Sequence, residues 1–239
     1  MSFNIKILFM KRLLAAVLLS STIMSMNETP LFMREGIWRG VFRVNGAAVP
    51  FNFELKGKDA EHAVFSLING RRRDEFHINR IGDDSLFVKL DSYDAALVAK
   101  IASDGKITGE YRCVGPALPF SAEAGKNYRF IEPGKCAAPR HNLSGKWEFR
   151  LSEKDMRIGL LKQEGNQLTG VMMSYMGDSR ELEGTIQGNE FELSGFTGPV
   201  PVYIKGKIND DKSFSGKINN TVKFEGIRNE DAEFPDPAI

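Results

Sequence analysis

Gly36-Ile37-Trp38 recurs as Gly145-Lys146-Trp147, 109 residues further along the chain. Arg73-Asp74-Glu75-Phe76-His77-Ile78 is echoed by Arg180-Glu181-Leu182-Glu183-Gly184-Thr185-Ile186, and Gly82-Asp83-Asp84-Ser85-Leu86 by Gly188-Asn189-Glu190-Phe191. Asp104-Gly105-Lys106-Ile107-Thr108-Gly109 returns as Asp211-Lys212-Ser213-Phe214-Ser215-Gly216. All four matches keep their order at offsets of 106 to 109, which chance would not arrange. Self-similarity at a fixed period means a duplicated architecture. Two units of about 95 residues follow, each large enough for a core of its own.

Inside the units, apolar and polar residues alternate. Phe51, Phe53 and Leu55 are separated by Asn52 and Glu54; Leu86, Val88 and Leu90 by Phe87 and Lys89; Phe191 and Leu193 by Glu192. A period of two puts one side of each strand in the core. Asn45-Gly46, Asn69-Gly70, Asp104-Gly105, Glu164-Gly165-Asn166, Gly188-Asn189 and Asp210-Asp211 supply the tight turns between strands, since Asn and Gly accept positive φ. After Asn27 no stretch keeps apolar residues at helical spacing for three turns. Ser92 to Ala102 comes nearest, and its place between two strands favours β. Each unit then holds about seven or eight strands, and sheets of that size close or stack to hide their edges. The expectation is an all-β chain: two tandem antiparallel β-barrel or sandwich units related by internal duplication, over 34–131 and 143–234. The Pro- and Gly-containing stretch 132–142 serves as linker. Trp38 and Trp147 open the two units at equivalent places. Each could plug its own core or offer an exposed stacking platform; a shared position favours the plug.

The segment before the first unit reads as an address. Lys11-Arg12 precedes Leu13-Leu14-Ala15-Ala16-Val17-Leu18-Leu19 and then Ser20-Ser21-Thr22. A basic start, a short apolar run and small residues make an export signal over 1–26. The run is short for a spanning helix. Cleavage near Ser25 and an uncleaved anchor are both open. Either way the body is expected outside the cytoplasm, in the periplasm or facing it from the membrane, where disulfides persist.

Composition removes several classes of function. Hydrophobic residues make up 42% and charged residues 26% of the chain, which excludes wholesale disorder. Three His and two Cys exclude a Cys-rich zinc module and a disulfide-dense scaffold. Without Lys6, Lys11 and Arg12 of the leader, the 32 basic residues fall to 29 against 31 acidic ones. A near-neutral body argues against general nucleic-acid binding. His62, His77 and His141 stand in no nucleophile elbow or His-Glu-x-x-His spacing, and no Gly-rich phosphate loop precedes a helix. No catalytic residue, cofactor site or metal site is therefore predicted. The paired carboxylates Asp83-Asp84 and Asp210-Asp211 fall in turns, where acidic side chains cap backbone N–H groups. Arg71-Arg72-Arg73 could meet an anionic ligand or partner, or simply start a solvated strand. Cys113 and Cys136, 23 residues apart, lack the Cys-x-x-Cys geometry of a redox site. They are candidates for one structural disulfide, worth ~3 kcal/mol in the chain-entropy account; free, inert thiols are the equal alternative.

Several stretches resemble the N-terminal region of bacterial TlpA-like thiol-disulfide oxidoreductases, exported proteins whose C-terminal half is a thioredoxin-like redoxin domain. They include Gly36-Ile37-Trp38-Arg39-Gly40, Val49-Pro50-Phe51-Asn52-Phe53, Leu118-Pro119-Phe120-Ser121-Ala122, Gly177-Asp178-Ser179-Arg180-Glu181-Leu182-Glu183-Gly184, Leu193-Ser194-Gly195-Phe196-Thr197-Gly198 and the closing Arg228-Asn229-Glu230-Asp231-Ala232-Glu233-Phe234-Pro235-Asp236-Pro237. The resemblance runs from Gly36 to Pro237. In that family a redoxin domain bearing Trp-Cys-x-x-Cys would begin just after such a Pro-Asp-Pro stretch. No position here matches it, so no catalytic residue carries over. A natural stand-alone version, a split gene and a shortened sequence all fit.

The resemblance implies a non-catalytic accessory or interaction module of an exported redox system, partnered by a thioredoxin-like redoxin domain or another periplasmic protein. The alternative is lipocalin-like binding of a small molecule or lipid inside one barrel, since an eight-stranded barrel can hold one small ligand. Large residues such as Phe51, Phe53, Phe191 and Phe224 argue for filled interiors instead.

Overall fold

The computed structural model describes residues 34–57, 62–80, 84–102, 104–197 and 200–234. The expected leader over 1–26 and the Pro235-Asp236-Pro237 stretch lie outside the described residues. The first half contains β1 (Gly36–Val44), β2 (Ala47–Lys56), β3 (Val64–Asn69), β4 (Arg72–Arg80), β5 (Ser85–Leu90), β6 (Ala95–Ile101), β7 (Ile107–Arg112) and β8 (Leu118–Ala124). Each strand pairs antiparallel with the next, and β8 closes on β1. The second half repeats the plan with β9 (Gly145–Arg150), β10 (Met156–Glu164), β11 (Gln167–Ser174), β12 (Ser179–Gln187), β13 (Glu190–Gly195), β14 (Val202–Asp210), β15 (Ser213–Ile218) and β16 (Val222–Arg228), and β16 closes on β9. Both units are thus closed eight-stranded barrels in tandem. The helical candidate at Ser92 to Ala102 resolves into a 3-10 turn, Asp91–Tyr93, and strand β6.

Local chemistry explains the register. At the β1–β2 hairpin, Asn45 and Gly46 both take positive φ (48° and 77°), the backbone twist that a two-residue hairpin needs. Inside the barrels, small residues make room for rings on the neighbouring strand. Gly40 stands opposite Phe51, and Gly226 opposite Phe214; at each, a Cβ would run into the opposing ring. Glycine in a strand interior marks such close approach.

The interiors are packed with aromatic side chains. In the first barrel Phe42 stacks on Phe51 at 4.4 Å between ring centroids, and Phe53 on Phe65 at 4.6 Å. In the second, Phe214 is ringed by Trp147, Phe149 and Phe191 at 4.5, 5.1 and 5.0 Å. Offset and edge-on pairs of this kind stabilise beyond their buried area. Trp38 and Trp147 are both buried, which settles them as plugs rather than platforms. They share a device: Trp38 Nε1 donates to the carbonyl of Arg34 at 2.8 Å, and Trp147 Nε1 to that of Leu143 at 2.9 Å. In each case the acceptor lies four residues upstream, so the duplication extends to single hydrogen bonds.

A cluster centred on one buried cation locks the barrels together. Arg129 follows β8 and is fully buried. Its Nη1 donates to the Pro50 carbonyl at 3.2 Å and to Ser194 Oγ at 3.3 Å; its Nη2 donates to Asn69 Oδ1 at 3.1 Å and to the Ile68 carbonyl. Glu183 lies 3.6 Å away. Pro50, Ile68 and Asn69 belong to the first barrel, Glu183 and Ser194 to the second. Ser194 Oγ also donates to the Pro50 carbonyl at 2.6 Å, and the Gly70 N–H to Glu183 at 2.9 Å. Asn69, itself buried, imitates a strand partner: its Nδ2 donates to the Phe196 carbonyl at 3.1 Å and its Oδ1 accepts from the Phe196 N–H at 3.3 Å. That pairing seats the Phe196 ring against Phe42, Phe51 and Tyr111 of the first barrel, at 4.8, 5.4 and 5.0 Å. A residue of the second half thereby completes the core of the first. On either side of Arg129, Tyr128 lies under the Arg39 guanidinium and Phe130 packs on Tyr203.

Charge taken out of water is costly unless it is paired and hydrogen-bonded. Arg129→Met removes four hydrogen bonds and the ion pair to Glu183 and should destabilise the chain by about 3–5 kcal/mol. Phe196→Ala should cost about 3–5 kcal/mol by opening a cavity in the first barrel. Urea unfolding of each variant checks both. Loss near zero in either case would mean that the barrels are held by something else.

Candidate functional site

Among the described residues no three His, Cys, Asp or Glu side chains gather as metal ligands, and no helix is long and apolar enough to cross a membrane. His141 Nδ1 lies 2.7 Å from Asp211, but Asp211 is exposed and no nucleophile joins the pair. Asp210 does what turn carboxylates do: its Oδ1 accepts from the Lys212 N–H at 2.8 Å and from Ser213 Oγ at 3.1 Å. Those contacts, led by the Lys212 amide, hold its carboxyl below the usual value. Cys113 and Cys136 are both half-buried free thiols in this structure. Beside Cys113, burial first and the thiol second push the Tyr111 phenol above its ordinary value.

The three consecutive arginines separate. Arg72 Nε donates to both carboxylate oxygens of Asp74 at 2.9 Å. Arg73 Nη1 donates to the carbonyls of Gly70 and Arg72 at 3.0 and 2.9 Å. Arg71 alone points into a cavity of about 470 Å³ between the β3–β4 turn and the outer wall of β10, β11 and β12. Lys162, Glu164 and Glu181 share that cavity. Lys162 pairs with Glu164 at 2.5 Å and holds its carboxyl below the ordinary value, with a weaker pull from Arg71. Alternation along β4 parts Arg72 from Arg73, because neighbouring strand residues point to opposite faces, while Arg71 stands in the turn before the strand.

The residues that the sequence patterns passed over are Arg129, Glu183 and Ser194. Their only sequence signal is a lone Arg between two aromatics, Tyr128-Arg129-Phe130. The stretch read as linker is pinned to the second barrel: the Arg140 N–H donates to Gly188 at 3.0 Å, the Gly188 N–H to Ala138 at 3.1 Å, and Asn166 Nδ2 to Ala137 at 2.7 Å. The surface that this body presents thus includes the seam between the barrels, with Arg71 at one of its cavities. Comparison with known protein families, curated proteins and solved structures returns no match.

Glu148 is the one buried carboxylate among the described residues. It accepts from Asn229 Nδ2 at 2.6 Å and from Arg150 Nε at 2.8 Å, and the Asn229 bond above all lowers its carboxyl below the usual range. A depressed carboxyl stabilises the fold above its unfolded value, and that contribution is lost as pH falls through the folded value. The gap in urea midpoint between the native chain and Glu148→Gln should therefore be widest at neutral pH and narrow below about pH 4. A gap independent of pH would refute the assignment.

Proposed function

We propose that this chain is a non-catalytic interaction module of an exported thiol-disulfide oxidoreductase system, docking a thioredoxin-like redoxin partner. One observation carries the reading: the two barrels are locked into a single preformed surface by a buried cation, while their interiors are filled with aromatic rings. A binding module gains from a preformed surface because little entropy is lost on docking. The ordered resemblance of Gly36 to Pro237 to the N-terminal region of TlpA-like proteins supplies the class of partner. The half-buried free thiols of Cys113 and Cys136 lack the paired spacing that turnover requires. The described surface around Arg71 offers a cation beside Lys162, Glu164 and Glu181, a mixed-charge patch suited to a polar rim.

The test uses the full chain as bait for a purified thioredoxin-like redoxin encoded in the same genome. Binding is expected in the micromolar range or tighter, and Arg71→Glu is expected to weaken it severalfold. In an insulin-reduction assay the chain alone should show no turnover. Turnover by the chain alone, or no binding to any such redoxin of that genome, would overturn the reading.

A further inference from the structure

The outer wall of the second barrel carries a row of like charges. The register places Glu192 opposite Lys205, Lys205 opposite Lys217, and Lys217 opposite Lys223. Three lysines thus stand side by side on β14, β15 and β16, all exposed. Like charges directly opposed across strands are destabilising. The row two residues along is balanced instead: Glu190, Lys207, Ser215, Glu225 and Arg150 succeed one another across five strands. Nor does Glu192 relieve the lysine row in full, since it accepts the Tyr203 hydroxyl at 2.5 Å. Lys205 reaches Glu190 at 3.8 Å. Among the described residues, Lys217 and Lys223 have no ion-pair partner.

Those two lysines line a groove of about 1070 Å³. Its apolar part is made by Leu151, Met156, Tyr175 and Phe234, with the edge of Phe224. Tyr175 and the adjacent Met176 are exposed, a rim that a monomeric surface rarely leaves bare without use. Lys154, also without an ion-pair partner among the described residues, projects from the β9–β10 loop into the same groove. Arg150 lines it too, engaged with Glu148 at 2.8 Å. Two carboxylates, Glu153 and Glu225, complete the lining, and Glu225 stands opposite Arg150. Neither carboxylate has an ion-pair partner among the described residues, so three unpaired lysines face two unpaired carboxylates and the excess charge in the groove is cationic.

We infer that this groove binds a single-chain anionic amphiphile, a long-chain carboxylate of the fatty-acid type, with its acyl chain along Leu151, Met156, Tyr175 and Phe234 and its head on Lys217 and Lys223. Three features favour this occupant. The net unpaired charge of the lining is positive. The volume is at the scale of a lipid-sized ligand site. Every strand of the barrel is paired on both sides, so an acidic peptide would find no edge for backbone pairing. The site is separate from the Arg71 seam and does not rest on the redoxin reading.

Isothermal titration of the full chain with sodium laurate, kept below its micelle concentration, tests the inference. Laurate should bind at one site, more weakly at high salt. Acetate (the head alone) and monolaurin (an uncharged head on the same chain) should each bind at least about tenfold more weakly. Lys217→Gln/Lys223→Gln should weaken laurate by about tenfold or more while leaving the melting temperature unchanged or raised, because it relieves repulsion. Tyr175→Ala should weaken laurate and monolaurin alike. Laurate binding that ignores the lysine pair, or tight binding of an acidic peptide with none of laurate, would overturn it.

Discussion

Arg129 is the constraint on which the architecture turns. Its guanidinium is out of water, and burial pulls it below its ordinary value while Glu183 pulls it back. A charge in that position is costly unless it is paired and hydrogen-bonded; both Nη atoms are occupied, while Nε is buried without a partner. The acceptors come from both barrels, so neither barrel alone can satisfy it. The close approach of β2 and β3 to β12 and β13, the insertion of Phe196, and the docking of Tyr128 and Phe130 on opposite sides all follow from satisfying this one side chain. What would otherwise be two beads on a string is a single body.

The duplication then takes on a different meaning. Trp38 and Trp147 plug equivalent ends through equivalent hydrogen bonds, and both interiors close on stacked rings. Yet the halves are not interchangeable. The first borrows Phe196 from the second, whereas the second gathers a core from Leu143 to Phe224 within its own half. Repetition supplied the plan, and the asymmetry arose where the copies touch.

Much of the fold was legible in the sequence because its determinants are local. Alternation at Phe51-Asn52-Phe53-Glu54-Leu55 sets the inward face of β2, and Asn45-Gly46 sets the hairpin. The choice of barrel over sandwich was not legible, since it depends on β8 meeting β1 across the whole unit. Arg129 was invisible for the same reason: its partners lie 54 to 79 positions away, and nothing in Tyr128-Arg129-Phe130 announces them. The opposite held for Arg71-Arg72-Arg73, conspicuous in sequence but divided in space among Asp74, backbone carbonyls and a cavity. The lysine row on β14, β15 and β16 needed the register as well, because Lys205, Lys217 and Lys223 share no sequence spacing.

Phe196 also orders events in time. A chain emerging from its N-terminus can pair β1 with β8 long before Phe196 appears. Until then the rings of Phe42, Phe51 and Tyr111 lack their final neighbour, and the carbonyls of Pro50 and Ile68 lack the arrangement that Ser194 and Glu183 complete. The N-terminal half therefore keeps an unfinished core until a residue made after it arrives.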